Sequence, residues 1–428
     1  MQQSPEYWVG KTENPDQVIG DAGWIADFNR RSFACDPHLV DLMNYPDTVP
    51  GPDLARLVDS VSRPGDAPLY YRDDPARRAL EPADYERYAG QLALDRIADV
   101  VPVRFGLIIH RTNMRSWPTR DFVIRSEETR DLDRFQENAL FPGELVAVLH
   151  ESTDGEWVFV RSYNYHAWIR KIRLVTGPRQ AVMDYASARP FLVVTGARAA
   201  TNYNPVDENS SELQLDMGVR LPVLPPEELP AHVDGQNPVA SFAVRFPVRD
   251  EKNGLGFRTV LIGRGQDVRE GYLDYTRGNV IRQAFKFLGE RYGWGHSYNA
   301  RDCTGLVLDV YRTMGIALPR NSGQQGASPI GKTIRIPDSD GINERMAALR
   351  QARAGDLVYA PGHVMIFLGF DEGEPWVIHH MSGSGWVDER GKPIEGIMNG
   401  VAATAINRTE MVPGKTFFET MYAIKKLE

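Results

Sequence analysis

Cysteine is scarce in this chain. Its 428 residues include only two cysteines, Cys35 and Cys303, which can form at most one disulfide. A disulfide scaffold therefore does not hold the fold together. If Cys303 has a chemical role it must stay a free thiol, and Cys35 is then expected to be an inert residue of the core.

Three further features are missing. No apolar run approaches the length of a membrane span, and the opening MQQSPEYW lacks the basic end and apolar core of a signal peptide. The net charge of −8 disfavours nucleic acid as a partner, because phosphate binding needs concentrated lysine and arginine. One cysteine and scattered histidines do not give the closely spaced ligand pairs expected of a zinc site, so we expect no metal and no other cofactor.

The remaining composition is that of a globular protein, with 42% hydrophobic and 25% charged residues. The 38 glycines and 29 prolines indicate many turns and short strands. In residues 1–95, DPHLVDLMNY, GPDLARLVDSV and PADYERYAGQLALDRIADV carry apolar residues at helical spacing. We therefore predict a mainly helical N-terminal segment that packs on the other domains.

Short runs rich in β-branched and aromatic residues follow. GELVAVLHES and EWVFVRSYNYHAWI flank TDG, a good hairpin signal, and together they resemble the core of bacterial SH3-type barrels. This predicts a first small barrel over residues 96–178. A weaker repeat of the pattern, from FLVVTGARAATNY to FRTVLIGRG, predicts a second, diverged barrel over residues 179–276.

Cys303 stands at the predicted start of a helix. TGLVLDVYRTMG follows it with apolar residues three and four apart, and Gly315 is a good helix stop. Unpaired backbone N–H groups and the helix dipole favour a thiolate at such a position. The alternative is that Asp302 caps the helix and Cys303 packs in the core, and the local pattern taken alone favours this second interpretation.

Two histidines lie about 60 residues further on, in GDLVYAPGHVMIFLGFDEGEPWVIHH. The pattern predicts three short strands, with His363 opening the second and His379 ending the third. Adjacent antiparallel strands would bring the two imidazoles together. A thiolate nucleophile needs a histidine base and a group that orients the base, and these histidines would supply both. The alternative for each is a hydrogen-bonded structural role.

At these positions the chain resembles the NlpC/p60 cysteine peptidases. The matching motifs are Tyr292-Gly-Trp294-Gly295, Asp302-Cys303-Thr304-Gly305, Leu318-Pro-Arg320-Asn-Ser322, Gly355-Asp356-Leu357, Gly362-His363-Val364 and Ile378-His379, over about 150 residues. The resemblance implies a papain-like catalytic domain over residues 277–428. The fold class is then α+β and multidomain, with two SH3-type barrels and the helical segment in front of the catalytic domain.

The resemblance also implies a function, cleavage of the γ-D-glutamyl–diamino acid bond of peptidoglycan stem peptides. Cys303 would attack the amide carbonyl, His363 would take and return the proton, and His379 would orient His363. The backbone N–H of Cys303, with the Tyr292 hydroxyl, would hold the oxyanion. Four further side chains would contact the substrate: Asp302, Thr304, Asn321 and Ser322. Arg320 would be either a structural or a ligand-side cation.

Three residues depart from the family pattern. His296 replaces the second glycine of W-G-G, and it would either polarise the loop or lie on the surface. Thr304 replaces serine and keeps the hydroxyl. Asn321 stands where members acting on free, trimmed peptides have an aspartate that pairs with the amine of L-Ala. Because asparagine carries no charge, we expect this chain to cleave intact wall peptides, with recycling of free stem peptides as the alternative.

The first barrel would also reach the substrate. RTNMRSWPT carries Arg115 and Trp117, a cation and a flat apolar surface suited to a groove wall, and simple barrel packing is the alternative for Trp117. The chain has no long Gly/Ser-rich tether, so we expect this barrel to pack against the peptidase domain.

The resemblance does not show in which cellular compartment the reaction takes place. A wall hydrolase would be periplasmic or wall-associated, with its signal removed or absent, whereas a recycling enzyme would be cytoplasmic. We expect a monomer, and the sequence does not choose between diaminopimelate and lysine in the stem. A different class of function is a wall-binding protein with an inactive peptidase domain, against which the complete set of Cys303, His363 and His379 argues.

Overall fold

The computed structural model describes residues 1–387, 390, 392–394 and 396–428. These residues form ten α-helices, most of them separated by strands. The helices are α1 (Pro5–Lys11), α2 (Ala22–Cys35), α3 (Gly51–Val61), α4 (Pro82–Gln91), α5 (Arg179–Ser187), α6 (Arg277–Phe285), α7 (Cys303–Arg312), α8 (Ser322–Ala327), α9 (Ile342–Leu349) and α10 (Phe417–Thr420).

The described residues also form many strands, most of them short. They are β1 (Val18–Gly20), β2 (Thr48–Pro50), β3 (Tyr70–Tyr71), β4 (Val100–Pro102), β5 (Arg104–Ile108), β6 (Thr112–Arg115), β7 (Val123–Ile124), β8 (Gln136–Leu140), β9 (Leu145–Glu151), β10 (Trp157–Arg161), β11 (His166–Arg170), β12 (Leu174–Gly177), β13 (Phe191–Val194), β14 (Arg198–Ala200), β15 (Gln214–Asp216), β16 (Arg220–Pro222), β17 (Ser241–Arg249), β18 (Leu255–Gly263), β19 (Val268–Glu270), β20 (Tyr275–Thr276), β21 (Lys332–Arg335), β22 (Leu357–Ala360), β23 (His363–Asp371), β24 (Glu374–Trp386), β25 (Met398–Ala405), β26 (Thr409–Val412), β27 (Lys415–Thr416) and β28 (Ala423–Lys426).

The chain divides into two units. Unit 1 comprises Met1–Leu39, Tyr272–Gly293 and Asn299–Glu428, and unit 2 comprises Val40–Gly271 and Trp294–Tyr298. The N-terminal 39 residues therefore belong with the predicted catalytic region, and five residues upstream of Cys303, Trp294–Tyr298, belong with unit 2. The predicted division into four consecutive domains stays a prediction.

Unit 2 is built around a seven-stranded antiparallel sheet in the order β12-β5-β9-β10-β11-β6-β8. Its centre is the β9–β10 hairpin around TDG, as the sequence predicts. One face packs an aromatic core that includes Trp117, Phe159 and Trp168. The remaining strands of unit 2 form small antiparallel sheets, among them β16-β13-β19 and the long hairpin β17–β18.

Unit 1 contains an eight-stranded sheet. Its strands run β21-β28-β22-β23-β24-β26-β27, and β25 pairs with β24. Helix α7 packs against β23 and β24. The three predicted strands of the histidine segment are present as β22, β23 and the first half of β24. This arrangement places the start of the cysteine helix and the two histidine strands in one layered structure.

The N-terminal prediction is confirmed for α3 and α4, whose sequences are GPDLARLVDSV and PADYERYAGQ. It is wrong for DPHLVDLMNY, where the structure has only a short 3-10 turn, Leu42–Asn44. Asp41 caps the start of that turn by accepting a hydrogen bond from the Met43 N–H. The turn ends at Tyr45, whose backbone is extended because Pro46 follows it. Within the part of the chain that the structure describes, no helix has both the length and the apolar character that a membrane crossing requires.

Candidate active site

Cys303 is the first residue of α7. The preceding residue, Asp302, is the N-cap, and its carboxylate accepts a hydrogen bond from the Gly305 N–H at 2.7 Å. This cap satisfies one of the backbone donors that a helix start leaves unpaired. Leu306 and Val310 are fully buried and hold the helix against the sheet. The sequence therefore fixes the sulfur at the start of a rigid helix.

The Cys303 thiol is almost completely enclosed. Only 6% of the residue is exposed, and burial raises the pKa of the thiol to about 12. The Asp302 carboxylate raises this pKa further, while a hydrogen bond from the Val364 backbone opposes the shift. That hydrogen bond places the sulfur beside the start of β23, where His363 lies. The expected thiolate is not the resting form, because desolvation outweighs the favourable field of the helix start.

Three side chains form a hydrogen-bonded chain across the sheet. His363 Nε2 lies 2.8 Å from His379 Nδ1, and His379 Nε2 lies 2.9 Å from Thr404 Oγ1. His379 is on β24 and Thr404 is on its neighbour β25, where His379 pairs with Ala402. Both His379 and Thr404 are fully buried. The predicted contact between the two histidines is therefore present, whereas no sequence pattern indicated Thr404.

The tautomers of His363 and His379 follow from the direction of these hydrogen bonds. If His379 donates from Nε2 to Thr404, its Nδ1 accepts from His363 Nε2–H. The Nδ1 of His363 is then an acceptor for a proton from substrate or thiol. Burial lowers the pKa of His363 well below its ordinary value, so the imidazole is neutral at neutral pH. The arrangement is suited to general-base chemistry in which a neutral histidine takes a proton.

Phe417 encloses the two histidines. Its ring centroid lies 4.8 Å from that of His363 and 5.1 Å from that of His379. Phe417 is the first residue of α10 and is itself buried. An aromatic wall of this kind excludes water and strengthens the hydrogen bonds inside it. The low pKa of His379 follows from the same enclosure.

Arg320 lies in a buried ion pair beneath the cysteine helix. Its guanidinium donates to the Asp302 carboxylate at 2.6 Å and also to the Thr304 hydroxyl. Thr304 in turn donates to Asp302 at 2.9 Å. Arg320 is 2% exposed. The structure therefore makes Arg320 a structural cation that ties the L-P-R segment to the residues on either side of Cys303.

The site can now be compared with known proteins. Residues 289–393 match the sequence pattern of the NlpC/P60 family, and residues 124–170 match an SH3 domain of the SH3b1 type. The first of these ranges contains Cys303, His363 and His379. The chain carries an NlpC/P60 domain and an SH3b domain. The NlpC/P60 domain supplies the hydrogen-bonded histidines, and the SH3 match lies within the seven-stranded sheet region of unit 2.

Relatives of the NlpC/P60 domain include proteins named as peptidases. The chain is 37% identical over 120 residues to a probable endopeptidase p60 of Listeria monocytogenes, a match that covers 25% of this chain and 21% of the relative. It is 27% identical over 187 residues to a γ-D-glutamyl-L-lysine dipeptidyl-peptidase of Bacillus cereus, covering 41% of this chain and 50% of that protein. The chain thus spans about a fifth of the p60 relative.

Solved structures show the same fold. An NlpC/P60 endopeptidase from Photobacterium damselae subsp. piscicida superposes with a TM-score of 0.76 at 15% identity, covering 100% of this chain and 97% of the other. An NlpC/P60 family protein from Bacillus cereus gives a TM-score of 0.51 at 19% identity, covering 76% of this chain and 99% of the other. At these identities the likeness establishes the fold.

The predicted substrate contacts lie near the cysteine helix in the chain, but their roles stay predictions. Asp302 and Thr304 are buried, and the structure uses their polar atoms in the Arg320 network. Ser322 is buried at the start of α8, whereas Asn321 is exposed as the N-cap of that helix. The Asn321 backbone N–H donates to Gln324 Oε1 at 3.1 Å.

Tyr292 lies against a third histidine. Its ring meets that of His380 edge to face, with the centroids 5.2 Å apart. His380 is fully buried on β24, next to His379 in the chain, and burial lowers the pKa of its imidazole to about 4. The packing fixes the position of the Tyr292 ring. The oxyanion role proposed for the Tyr292 hydroxyl stays a prediction.

The loop before Cys303 belongs to unit 2. His296 is 3% exposed, and its ring packs on Phe141 with centroids 5.6 Å apart. Gln136 donates to the Gly295 carbonyl at 2.7 Å, and Trp294 donates to the Gln136 carbonyl at 2.9 Å. Gly295 and His296 both have left-handed backbone conformations, with φ of 56° and 64°. The surface role considered for His296 is therefore wrong.

The groove-wall role predicted for Arg115 and Trp117 is also wrong. Trp117 is 3% exposed and packs among Tyr85, Tyr88 and Phe135 in the aromatic core of unit 2. Arg115 is 6% exposed and donates to the Asp133 carboxylate at 2.7 Å. Both side chains are buried by contacts inside unit 2, so neither presents a surface to substrate.

The prediction for the second cysteine fails as well. Cys35 is exposed at the C-terminal end of α2, and both cysteines are free thiols. The apolar side of α2 instead buries Ile25 and Phe28, and the last residue of the helix falls outside that stripe. Cys35 is therefore an accessible thiol that any labelling experiment must take into account.

Proposed function

We propose that this protein is a cysteine peptidase of bacterial cell walls. Its reaction would be hydrolysis of the γ-D-glutamyl–diamino acid amide bond in peptidoglycan stem peptides. The observation that carries the proposal is the buried chain His363–His379–Thr404 next to a cysteine at a helix start. A relic without activity would have no need for three enclosed polar side chains in hydrogen-bonded order, because each costs desolvation.

The first half of the reaction forms an acyl-enzyme. As the Cys303 sulfur attacks the amide carbonyl, its proton passes to Nδ1 of His363. The neutral thiol and imidazole thus give a tetrahedral oxyanion bonded to sulfur and an imidazolium. His379 accepts from the His363 imidazolium and stabilises its charge. The tetrahedral oxyanion would be held by the backbone N–H of Cys303 and the Tyr292 hydroxyl. Collapse breaks the C–N bond, and His363 returns the proton to the leaving amine.

The second half hydrolyses the thioester. A water molecule gives a proton to the now neutral His363 and attacks the acyl carbon. The C–S bond then breaks, and the proton returns from His363 to the Cys303 sulfur. The γ-glutamyl product leaves as the carboxylic acid and loses its proton to solvent. Both catalytic groups are then back in their neutral resting forms, as the raised thiol pKa and lowered imidazole pKa require.

The preferred substrate would be a stem peptide still joined to the wall sugar. Asn321 supports this choice because its amide is exposed and carries no charge to bind a free ammonium. The protein would then act as a monomer in the periplasm or at the wall. This choice of substrate leaves the third stem residue, diaminopimelate or lysine, to be measured.

A second candidate function is recycling of free stem peptides in the cytoplasm. It is favoured by the Bacillus cereus relative, whose name describes a dipeptidyl-peptidase and so an enzyme that needs a free amino terminus. The two candidates share the catalytic residues and differ only in whether an acylated L-Ala nitrogen is accepted.

One experiment tests the activity and separates the candidates. Purified sacculi and free L-Ala-γ-D-Glu-diaminopimelate tripeptide are digested separately with wild type and with Cys303→Ala, and the products are identified by mass. We expect cleavage of both substrates by wild type and of neither by the variant. Cleavage of the tripeptide alone would establish the recycling function, and no cleavage of either substrate by wild type would reject the peptidase proposal.

A further inference from the structure

Unit 2 contains a cavity that the peptidase chemistry does not account for. Its volume is about 470 Å³, and its lining residues lie between positions 109 and 258, all within unit 2. Cavities in the range of about 300–1,000 Å³ commonly hold small ligands. None of the candidate catalytic residues lines this cavity.

Two parts of unit 2 form its walls. His110 follows β5 and Arg173 precedes β12, so both come from the seven-stranded sheet region, while Arg249 ends β17. The Arg249 guanidinium donates to the Leu174 carbonyl at 2.8 Å. Gly177 of β12 also lies against Leu255 of the β17–β18 hairpin, where an added Cβ would come within 2.6 Å of the leucine side chain. The walls are thus joined by direct contacts and form a defined site.

The cavity carries an excess of positive charge. Arg258 is neutralised, because Asp234 accepts from it at 2.7 Å and Asp207 lies 3.7 Å away. Arg173 and Arg249 differ: among the residues that the structure describes, neither has a carboxylate within 4.0 Å. Both arginines are exposed. Apart from the N–H that Arg249 donates to Leu174, their guanidinium groups are therefore available to an anionic ligand.

The acidic residue in the lining does not cancel this charge. Asp207 Oδ2 accepts from the Ser210 hydroxyl at 2.7 Å, and Asp207 Oδ1 accepts from the Asn209 backbone N–H at 3.1 Å. These contacts hold the carboxylate in its own loop. Its oxygens accept hydrogen bonds within the loop, and its charge acts on Arg258 and on His110.

Apolar side chains complete the lining. Ile109 comes from one wall, and Pro247 and Val248 come from the other. Half-buried His110 also lines the cavity. Its burial and the Arg173 charge lower the pKa of its imidazole, and the Asp207 charge opposes this shift. Its neutral imidazole offers one donor and one acceptor, which suits a peptide amide. The lining thus combines paired cations, an amide partner and aliphatic surface.

We propose that this cavity binds a short peptide that carries a free carboxylate and an aliphatic side chain. The carboxylate takes bidentate hydrogen bonds from Arg173 and Arg249, a geometry that the planar guanidinium favours. The aliphatic side chain packs on the apolar wall. This binding function is independent of the peptidase activity, since it uses no catalytic residue.

The test measures binding without turnover. The full-length wild-type chain is titrated calorimetrically with N-acetyl-leucyl-glutamate, which contains no γ-glutamyl amide, and in parallel with the neutral N-acetyl-leucyl-glutamine amide and with inorganic phosphate. We expect saturable one-to-one binding of the acidic dipeptide alone. Equal binding of the neutral peptide, or phosphate binding as tight as the peptide, would overturn the assignment of ligand class.

Two double variants locate the site. Arg173→Gln with Arg249→Gln should weaken binding by roughly tenfold or more, the loss expected for hydrogen bonds to a charged group. Arg245→Gln with Arg269→Gln removes the same charge from exposed positions elsewhere in unit 2 and should leave binding unchanged. Equal weakening by both doubles would reject the cavity. If the first double misfolds, Arg173→Gln alone decides, because an unchanged affinity in that variant contradicts the proposal.

Discussion

Each of the two units contains a buried arginine–aspartate pair. In unit 1, Arg320 donates to Asp302 at 2.6 Å, and in unit 2, Arg115 donates to Asp133 at 2.7 Å. All four side chains are less than a tenth exposed. The pairs are alike in distance and burial, yet the first lies beside the nucleophile and the second lies beside an aromatic core.

The difference shows that a buried ion pair does not itself mark a site. Asp133 also accepts from backbone N–H groups, including that of Phe135 at 3.0 Å, so the unit 2 pair fixes a loop. Asp302 instead caps the helix that begins with Cys303. What makes the unit 1 pair part of a candidate site is its neighbour, and four predictions test that distinction.

The largest expected effect separates histidines of the two units whose pKa is lowered by desolvation. His363→Ala should lower kcat by roughly 10³-fold or more, because the proton acceptor is lost. His379→Ala should cost less, and Thr404→Val less again, since each acts through the next residue in the chain. His166→Ala is the matched control in unit 2, where the imidazole contacts Ser60 and Arg161. Steady-state kinetics on the tripeptide provide the measurement.

The order of the histidine series is the critical result. A Thr404→Val variant with a larger loss than His363→Ala would contradict the direction of the hydrogen-bonded chain. If His166→Ala lowered kcat as much as His379→Ala, the loss in both variants would reflect folding, and the orienting role of His379 would be rejected. Thermal unfolding of each variant separates loss of catalysis from loss of structure.

The second prediction compares the two ion pairs directly. Arg320→Met and Arg115→Met should each lower the free energy of unfolding by about 3–5 kcal/mol, because each leaves a buried carboxylate without its partner. Only Arg320→Met should also reduce kcat, by roughly 10²-fold, through displacement of the Cys303 helix start. Urea unfolding and kinetics on folded protein test both parts. A comparable kcat loss in folded Arg115→Met would erase the distinction between the pairs.

A third prediction concerns pH. Because burial lowers the pKa of His363, the neutral base persists as pH falls below the ordinary histidine value of 6.5. Between pH 7 and pH 5, kcat/KM should therefore fall by less than about threefold, whereas a base with an unshifted pKa would lose about thirtyfold. The pH profile is measured with circular dichroism to verify folding. An acid limb centred near 6.5 would show that the histidines are hydrated.

The smallest expected effect is on substrate choice. Asn321→Asp should shift the ratio of kcat/KM for free-amine over N-acylated tetrapeptide upward by about tenfold, because a carboxylate would pair with the free ammonium. The effect should be confined to the substrate contact, because Asn321 is exposed and its substitution leaves the buried networks intact. Competition between the two tetrapeptides in one reaction gives the ratio. An unchanged ratio would remove Asn321 from the specificity account.

The sequence predicts part of this site and misses the rest for physical reasons. Helical spacing and the strand pattern place Cys303 at a helix start and His363 at a strand start, and the resemblance of their motifs to those of NlpC/p60 peptidases predicts their roles. Thr404 and Phe417 come from elements further along the chain, and no spacing rule links them to His379. Only the register of β24 with β25 places Thr404 at the second histidine. Such pairings depend on the folded sheet.

For the fold, too, some features follow from local sequence patterns and others do not. The hairpin around TDG and helices α3 and α4 follow from local patterns. The membership of residues 1–39 in unit 1 does not, because these residues are bound by distant partners such as Asp371, which accepts from Tyr7 at 2.6 Å. Arg115 was misread because β6 buries successive side chains on both faces, and alternation then gives no sign of exposure.

The central claim is that Cys303 is the nucleophile, and an acyl-enzyme tests it most directly. Wild type mixed with L-Ala-γ-D-Glu-diaminopimelate is quenched in acid during turnover, and the adduct is located by peptide mapping. The account predicts an L-Ala-D-Glu acyl group on Cys303 and none on the exposed Cys35. Steady cleavage with no adduct on Cys303, together with full activity of Cys303→Ala, would contradict it.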